Sequence, residues 1–413
     1  MDLSSLAYPF LFITIFFESF LLVTFLSSPA RKQRTLPLAT HTPHVAVIVP
    51  CFNEESTIGA TVESILSLEY PKDKLTIVLV DDGSTDKTPS VMDGYLGHPQ
   101  ITVIHKENGG KHTALNEGIK GVPQAEFVGC LDADSFVAPD ALREIIAHFD
   151  NTDVAAVTAA MSVHEPKTIL EVMQNAEYIF GIALRHTLSS VNGLYVTPGP
   201  FSFYRREIIL ELGGFQKGHN TEDLEMALRI QRAGYLIENA PRARVYTKTP
   251  KTVRALVKQR VRWTTGFLRN VMYDYRDLIA NPKFGTLGLV VLPLGLFAII
   301  AGIFLFVLVL SRIIKQIVET YTLTNGVPIS YSLVPHWPSF DLFYLPVTAM
   351  LLFVLVTVAG SISFMILGKR ISRTPGRLFS GMVAYLLLYA IIAPFWLIRT
   401  VWDVITGTRR SWR

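Results

Sequence analysis

Three acidic stretches carry side chains able to do chemistry on a phosphorylated substrate. Asp81-Asp82-Gly83-Ser84-Thr85-Asp86 follows the apolar run Leu75–Val80. A carboxylate there can accept hydrogen bonds from a base or a ribose, and Gly83 permits a sharp turn. The same residue types also satisfy local backbone donors in an ordinary turn, and in isolation the two readings are even. Asp132-Ala133-Asp134 follows the apolar run Phe127–Leu131 and precedes a helix expected near Pro139. Two carboxylates one residue apart can approach one divalent cation, with a nucleotide diphosphate supplying the remaining oxygens. Hard oxygen ligands suit Mg²⁺ or Mn²⁺, and such an ion offsets charge on a departing diphosphate. A turn with a helix N-cap is the competing reading; after an apolar strand the metal is favoured. Thr221-Glu222-Asp223 opens a helical stretch, Leu224–Ala233, stopped by Gly234. First-turn acids commonly serve the helix dipole. The functional alternative makes Asp223 a general base that takes a proton from an acceptor hydroxyl.

Two further stretches carry positive charge. Asn108-Gly109-Gly110-Lys111-His112 is a glycine turn entering a helix. Its free N–H groups and the Lys111 ammonium suit a diphosphate, although an ordinary strand-to-helix loop would look the same and Walker A spacing is absent. From Lys251 to Val271, helical spacing puts Val253, Leu256, Val257, Val261, Thr264, Phe267, Leu268 and Val271 on one apolar face. Lys251, Arg254, Lys258, Arg262 and Arg269 follow a flank, and Gln259, Arg262, Trp263 and Gly266 share a third face. An apolar face with a basic flank suits a helix lying in a membrane interface. A guanidinium on the third face can hold a diphosphate bidentately, and an indole can stack on a sugar ring. A simple amphipathic anchor would explain the charge and the tryptophan, but not their company with the carboxylates.

These groups need elements that bring them together. Val45–Pro50, Leu75–Val80, Ile101–His105 and Phe127–Leu131 are expected as buried strands, with helices near Ser56–Leu68 and from Lys111. Strands alternating with helices imply a mainly parallel α/β sheet. Ligands bind beyond the carboxyl ends of such strands, where the polar residues of the first, second and fourth strands fall. Cys51 and Cys130 lie within apolar runs and are expected as small core residues.

The rest of the 413-residue chain is mostly apolar. Tyr8–Leu26, Leu287–Leu310, Leu342–Leu367 and Leu378–Trp402 are each long enough to cross a bilayer. A cleaved signal peptide fits the first poorly: its leading residues lack positive charge, and Arg31-Lys32-Gln33-Arg34 follows it. Glu18 is expected to face another helix or a boundary. The net charge is only +4, but its cations cluster beside apolar segments, which suits an anionic cytoplasmic leaflet better than nucleic acid. The loop Gly368–Arg377 has four cations and no acids, so it and the soluble region are expected on the cytoplasmic side of the cell membrane. Four crossings would put Arg409, Arg410 and Arg413 outside, against that rule. Either the tail is an exception or one apolar segment lies in the interface, and Pro293 and Pro394 leave this open. The expected divisions are an anchor (1–30), an α/β domain (44–250), an interfacial helix (251–280) and an apolar region (284–405).

In this order, Asp81-Asp82, Asp132-Ala133-Asp134, Thr221-Glu222-Asp223 and Gln259-Arg260-Val261-Arg262-Trp263 resemble the GT-A domain of processive family 2 glycosyltransferases. These are the poly-N-acetylglucosamine, hyaluronan, chitin and cellulose synthases. The resemblance implies an inverting enzyme that moves a sugar, N-acetylglucosamine or glucose favoured, from a UDP-sugar to a growing β-linked polysaccharide. By resemblance, Asp82 contacts uridine, helped by Asp81 and the Pro50–Glu54 loop with Asn53 and Glu54. Lys111 lies near the donor, and Asp132 and Asp134 hold the sugar-nucleotide and its metal. Asp223 is the base, Gln259 and Arg262 bind diphosphate, and Glu222, Trp263, Gly199 and Pro200 border the acceptor. Four spans are few for a secretion channel, which implies an accessory subunit or a homo-oligomer. The rival readings are a ceramide-type enzyme that adds one sugar to a membrane lipid, and a non-catalytic scaffold or transporter subunit.

Overall fold

A computed structural model describes residues 7–27, 42–323 and 348–408. The clusters at Arg31–Arg34 and Arg409–Arg413, and the expected span's first residues Leu342–Val347, lie outside the described residues. The elements in chain order are α1 (Ala7–Ser27), β1 (Val45–Cys51), α2 (Ile58–Leu66), β2 (Leu75–Asp82), α3 (Thr88–Asp93), β3 (Ile101–Lys106), α4 (Lys111–Lys120) and β4 (Phe127–Cys130). They continue with β5 (Ser135–Val137), α5 (Ala141–Ile146), β6 (Val154–Val163), α6 (Ile169–Ser190), β7 (Ser202–Arg205), α7 (Arg206–Glu211), α8 (Glu222–Arg232), β8 (Leu236–Thr247) and α9 (Val253–Arg269). Three long apolar helices follow: α10 (Leu287–Leu323), α11 (Ala349–Ser372) and α12 (Phe379–Ile405).

The strands form one sheet in the order β3-β2-β1-β4-β7-β6-β8-β5. Parallel pairing joins β3, β2, β1 and β4, whereas β7 runs antiparallel to its neighbours and β5 antiparallel to β8. The strands expected from the sequence are therefore present, with β2 reaching two residues further to include both aspartates. From β1 the chain builds to one side through β2 and β3, then returns to the other side at β4. That reversal opens a crevice at the carboxyl ends of β1 and β4, the usual ligand position in open α/β sheets.

Alternation along β1 feeds two apolar layers. Val45, Val47 and Val49 pack with Ile58, Ile65, Ile77 and Leu79 on one face. Ala46 and Ile48 pack with Val78, Val80, Leu115 and Ile119 on the other, and this layer continues into Leu21, Leu292 and Phe364 of the apolar helices. The sheet thus shares a core with the helices beneath it. Glycines permit the closest joins: a Cβ at Gly368 of α11 would lie 2.1 Å from the Ile179 carbonyl of α6. Glu18 meets α11, accepting from Ser361 Oγ at 3.3 Å beside Gly360, which answers the expectation that it faces another helix.

All four apolar helices are long enough to cross a membrane. At one end Ala7 and Leu11 of α1 pack with Leu308 of α10 and Met350 of α11. At the other, all three meet the α/β domain. The last helix differs, because both its ends touch that domain. A Cβ on Gly381 would lie 2.9 Å from the Val172 carbonyl of α6. At the far end, Arg269 Nη2 at the close of α9 donates to the Asp403 and Thr408 carbonyls at 3.0 and 2.8 Å. α12 therefore runs beside α9, with Pro394 inside it.

Candidate active site

Asp81 and Asp82 are buried at the end of β2. Asp81 accepts from the Ser84 N–H at 3.0 Å and faces His105 Nδ1 at 3.3 Å. Asp82 accepts from Lys106 Nζ at 2.6 Å and from the Gly109 and Gly110 N–H groups at 3.0 and 2.8 Å. Asp82 thus holds the glycine turn that leads into α4. Gly110 has a φ of 93°, a conformation glycine adopts without steric cost. Pro50 lies in β1 opposite Val80. Beyond it, the Asn53 N–H donates to Ser84 Oγ and the Glu54 N–H to Thr88 Oγ1, at 3.0 and 2.7 Å, so the loops after β1 and β2 are tied together.

Lys111, the first residue of α4, reaches across the crevice. Its Nζ lies 2.5 Å from Asp132 Oδ1 after β4 and 3.2 Å from Glu222 Oε1 at the start of α8. Burial alone would lower its pKa, but Asp132, with Glu222 and Asp223, holds it well above the ordinary lysine value. Gly199 closes the same point: a Cβ there would meet Lys111 Nζ at 2.7 Å and both Asp132 oxygens at 3.3 Å. Just before it, Thr197 Oγ1 donates to the Asp223 carbonyl at 2.8 Å, and Pro200 continues the turn. Residues far apart in the chain, Lys111, Asp132, Gly199, Glu222 and Asp223, therefore meet in one place.

Two carboxylates, Asp134 and Asp223, are shifted upward. Asp134 is pushed up to about 7 by burial and by the negative charges of Asp132 and Glu54. Asp223 is raised to about 6 by burial and by Glu222, against the pull of Lys111 and Arg262. Among the described residues, no three His, Cys, Asp or Glu side chains stand close enough to bind a metal unaided. Asp132 and Asp134 nonetheless suit a divalent cation. Burial and two neighbouring acids disfavour the charged form of Asp134, and a cation held beside it would favour that form again. Such an ion would need further oxygens from a diphosphate.

The long basic-aromatic helix, α9, packs its third face on the Thr-Glu-Asp turn. A Cβ on Gly266 would lie 2.3 Å from Thr221 Oγ1, so only glycine allows this approach. Arg262 Nη1 donates to the Asn220 carbonyl at 3.1 Å, and buried Gln259 Oε1 has no hydrogen-bond partner among the described residues. Trp263 is half-buried against the apolar layer under β1. The expected apolar face needs one correction: Val253 is 51% exposed, while charged Arg260 is buried. Val253 is the first residue of α9, and Arg260 is drawn inward by Glu177 of α6, 2.7 Å from its Nη2. A cavity of about 690 Å³ lies along the basic flank of α9, lined by Lys217, His219, Lys258, Gln259, Arg262 and Arg269. It touches two expected donor residues and none of the aspartates after β2 and β4. Lys106, Arg260 and Glu177 were missed from the sequence, since each matters through a partner distant in the chain. Cys51 and Cys130 are buried and free, as expected of core residues.

The comparison with known proteins matches this layout. The family described as glycosyltransferase like family 2 matches residues 43–266. A poly-beta-1,6-N-acetyl-D-glucosamine synthase of Staphylococcus epidermidis is 30% identical over 273 residues, covering 65% of this chain and 65% of that protein. A synthase of the same name from Staphylococcus aureus is 28% identical over 243 residues, covering 58% of each. The chain thus spans less than two thirds of the length of these relatives. Among solved structures, a mannosyltransferase from Pyrobaculum calidifontis with GDP-Man and Mn²⁺ has a TM-score of 0.60 at 22% identity, covering 98% of this chain and 99% of that one. That likeness extends the shared fold to the apolar helices. With more than half its length matched, and the matched part containing the whole crevice, the chain belongs to glycosyltransferase family 2.

Proposed function

We propose that this protein transfers N-acetylglucosamine from UDP-N-acetylglucosamine to the end of a growing β-linked polysaccharide at the cytoplasmic face of a membrane, with inversion at the anomeric carbon. The observation that carries the reading is Lys111, which bridges Asp132 and Glu222 and so joins the Asp-x-Asp turn to the start of the Thr-Glu-Asp helix. The names of the similar synthases favour N-acetylglucosamine and a β-1,6 linkage.

In this reading the uridine lies by Asp81, Asp82 and the Asn53–Glu54 loop, and the diphosphate runs towards Asp132, Asp134, Gln259 and Arg262. Mg²⁺ or Mn²⁺ held by Asp132 and Asp134 would offset charge on the diphosphate. The acceptor sugar rests on Trp263, near Glu222, Gly199 and Pro200. Asp223 takes the proton of the acceptor hydroxyl as its oxygen bonds to the anomeric carbon and the bond to the diphosphate breaks, releasing UDP. With its pKa raised to about 6, Asp223 is basic enough to accept that proton and still ionised at neutral pH.

The test is a donor screen with the purified chain in lipid nanodiscs. UDP-N-acetylglucosamine with Mg²⁺ or Mn²⁺ should give polymer with β-1,6 linkages, and EDTA should abolish it. A single glycolipid product would replace the polymer reading with the lipid-acceptor one. No turnover of any UDP-sugar would favour the scaffold reading.

A further inference from the structure

Trp263 does not stand alone on α9. The guanidinium carbon of Arg260 lies 4.3 Å from its ring centroid, within the range of a cation–π contact. Unlike the flanking cations of the helix, Arg260 is buried. Its Nη2 donates to Glu177 Oε2 of α6 at 2.7 Å. The other carboxylate oxygen of Glu177 accepts from the Tyr389 hydroxyl at 3.2 Å. Tyr389 closes a π-helical turn, Tyr385–Tyr389, within α12. A continuous series of contacts therefore runs from the last apolar helix through α6 to the indole.

Anchoring alone does not need this series. Leu170, Met173 and Leu256 already pack with Tyr385, Leu388 and Ile392 to join the same three helices. A buried ion pair adds little net stability, because desolvation offsets its attraction. It does hold a side chain in one geometry, and Arg260 can then hold the indole in one plane.

We propose that Glu177, Arg260 and Tyr389 are positioning residues for the acceptor, fixing the Trp263 indole as a stacking surface for the terminal sugar of the glycan. The last apolar helix thereby takes part in acceptor binding. The inference rests on Trp263 being the acceptor platform, as read under Proposed function.

The test uses the full chain in nanodiscs with UDP-N-acetylglucosamine and a short β-1,6-linked N-acetylglucosamine oligosaccharide. Acceptor KM, donor KM, kcat and acceptor-free donor hydrolysis are measured for Trp263→Ala, Glu177→Gln, Tyr389→Phe, Arg260→Met and Arg260→Lys. Glu177→Gln and Tyr389→Phe should raise acceptor KM about tenfold, the scale of one cation–π contact, with donor KM and hydrolysis unchanged. Arg260→Lys should recover part of what Arg260→Met loses. In a Trp263→Ala background, Tyr389→Phe should change nothing further. Equal effects on donor and acceptor parameters would reduce the network to a structural brace and overturn the inference. So would an unchanged acceptor KM in Glu177→Gln and Tyr389→Phe when Trp263→Ala raises it. If Trp263→Ala itself spares acceptor KM, the platform reading fails first and the inference falls with it.

Discussion

At the scale of single residues, Asp223 and Gly199 carry the clearest consequences. Asp223→Asn keeps the size of the side chain but removes the base, so kcat should fall by about 10²–10⁴-fold while the domain stays folded. Burial and Glu222 raise the carboxyl pKa to about 6. The active form is the carboxylate, so kcat/KM should climb with pH through about 6, level off above it, and drop about tenfold per unit below it. A pH profile of the purified enzyme reads this directly, and a rate independent of pH between 5 and 7 would assign the proton to another group. Gly199→Ala tests the crowding around Lys111. The added methyl would stand 2.7 Å from Nζ, where Lys111 must give way and loosen its hold on Asp132 and Glu222. Donor KM should rise, with little change in melting temperature because the lysine end is flexible.

Between elements, the decisive contact is that of α9 with the turn before α8. Gly266 allows it, and Asn270 supports it by donating to the Gly218 carbonyl, Thr221 Oγ1 and the Gly266 carbonyl at 3.0, 3.2 and 2.8 Å. A side chain at position 266 would drive the helix off Thr221, since overpacking a close contact costs about 1–3 kcal/mol. Gly266→Val should therefore lower transfer far more than it lowers stability, because it displaces Arg262 and Trp263 relative to Asp223. Measuring kcat beside a thermal melt in detergent separates the two effects; a parallel loss of both would mean general unfolding. The amphipathic pattern of α9 was legible in the sequence because a period of 3.6 residues repeats along it. Its inward arginine was not, since the charge is accommodated by Glu177, 83 residues earlier in the chain.

For the whole molecule, the packing of α12 beside α9 makes the topology testable. An arrangement in which α1, α10 and α11 cross and α12 lies beside α9 in the interface predicts that the basic loop Gly368–Arg377 and Thr408 face the same side as the α/β domain. Single cysteines at Ser90 and Thr408, in a background where Cys51 and Cys130 are replaced by serine or alanine, should label with a membrane-impermeant maleimide from the same face of sealed vesicles. Labelling from opposite faces would make α12 a fourth crossing.

Local pattern was enough to determine the parallel strands, the apolar segments and the four motifs, because side-chain periodicity, turn residues and long apolar runs are properties of neighbouring residues. It also set the order of the motifs, which points to the family. The rest depended on contacts between residues remote in sequence. β7 and β8 take their direction from partners that no local pattern names. The charge count left two topologies, and no local pattern foretold that Arg269 would donate to carbonyls at the end of α12. The meeting of Lys111 with Asp132 and Glu222 likewise exists only once the sheet reverses at β4, since three loops must converge before one ammonium can reach both acids.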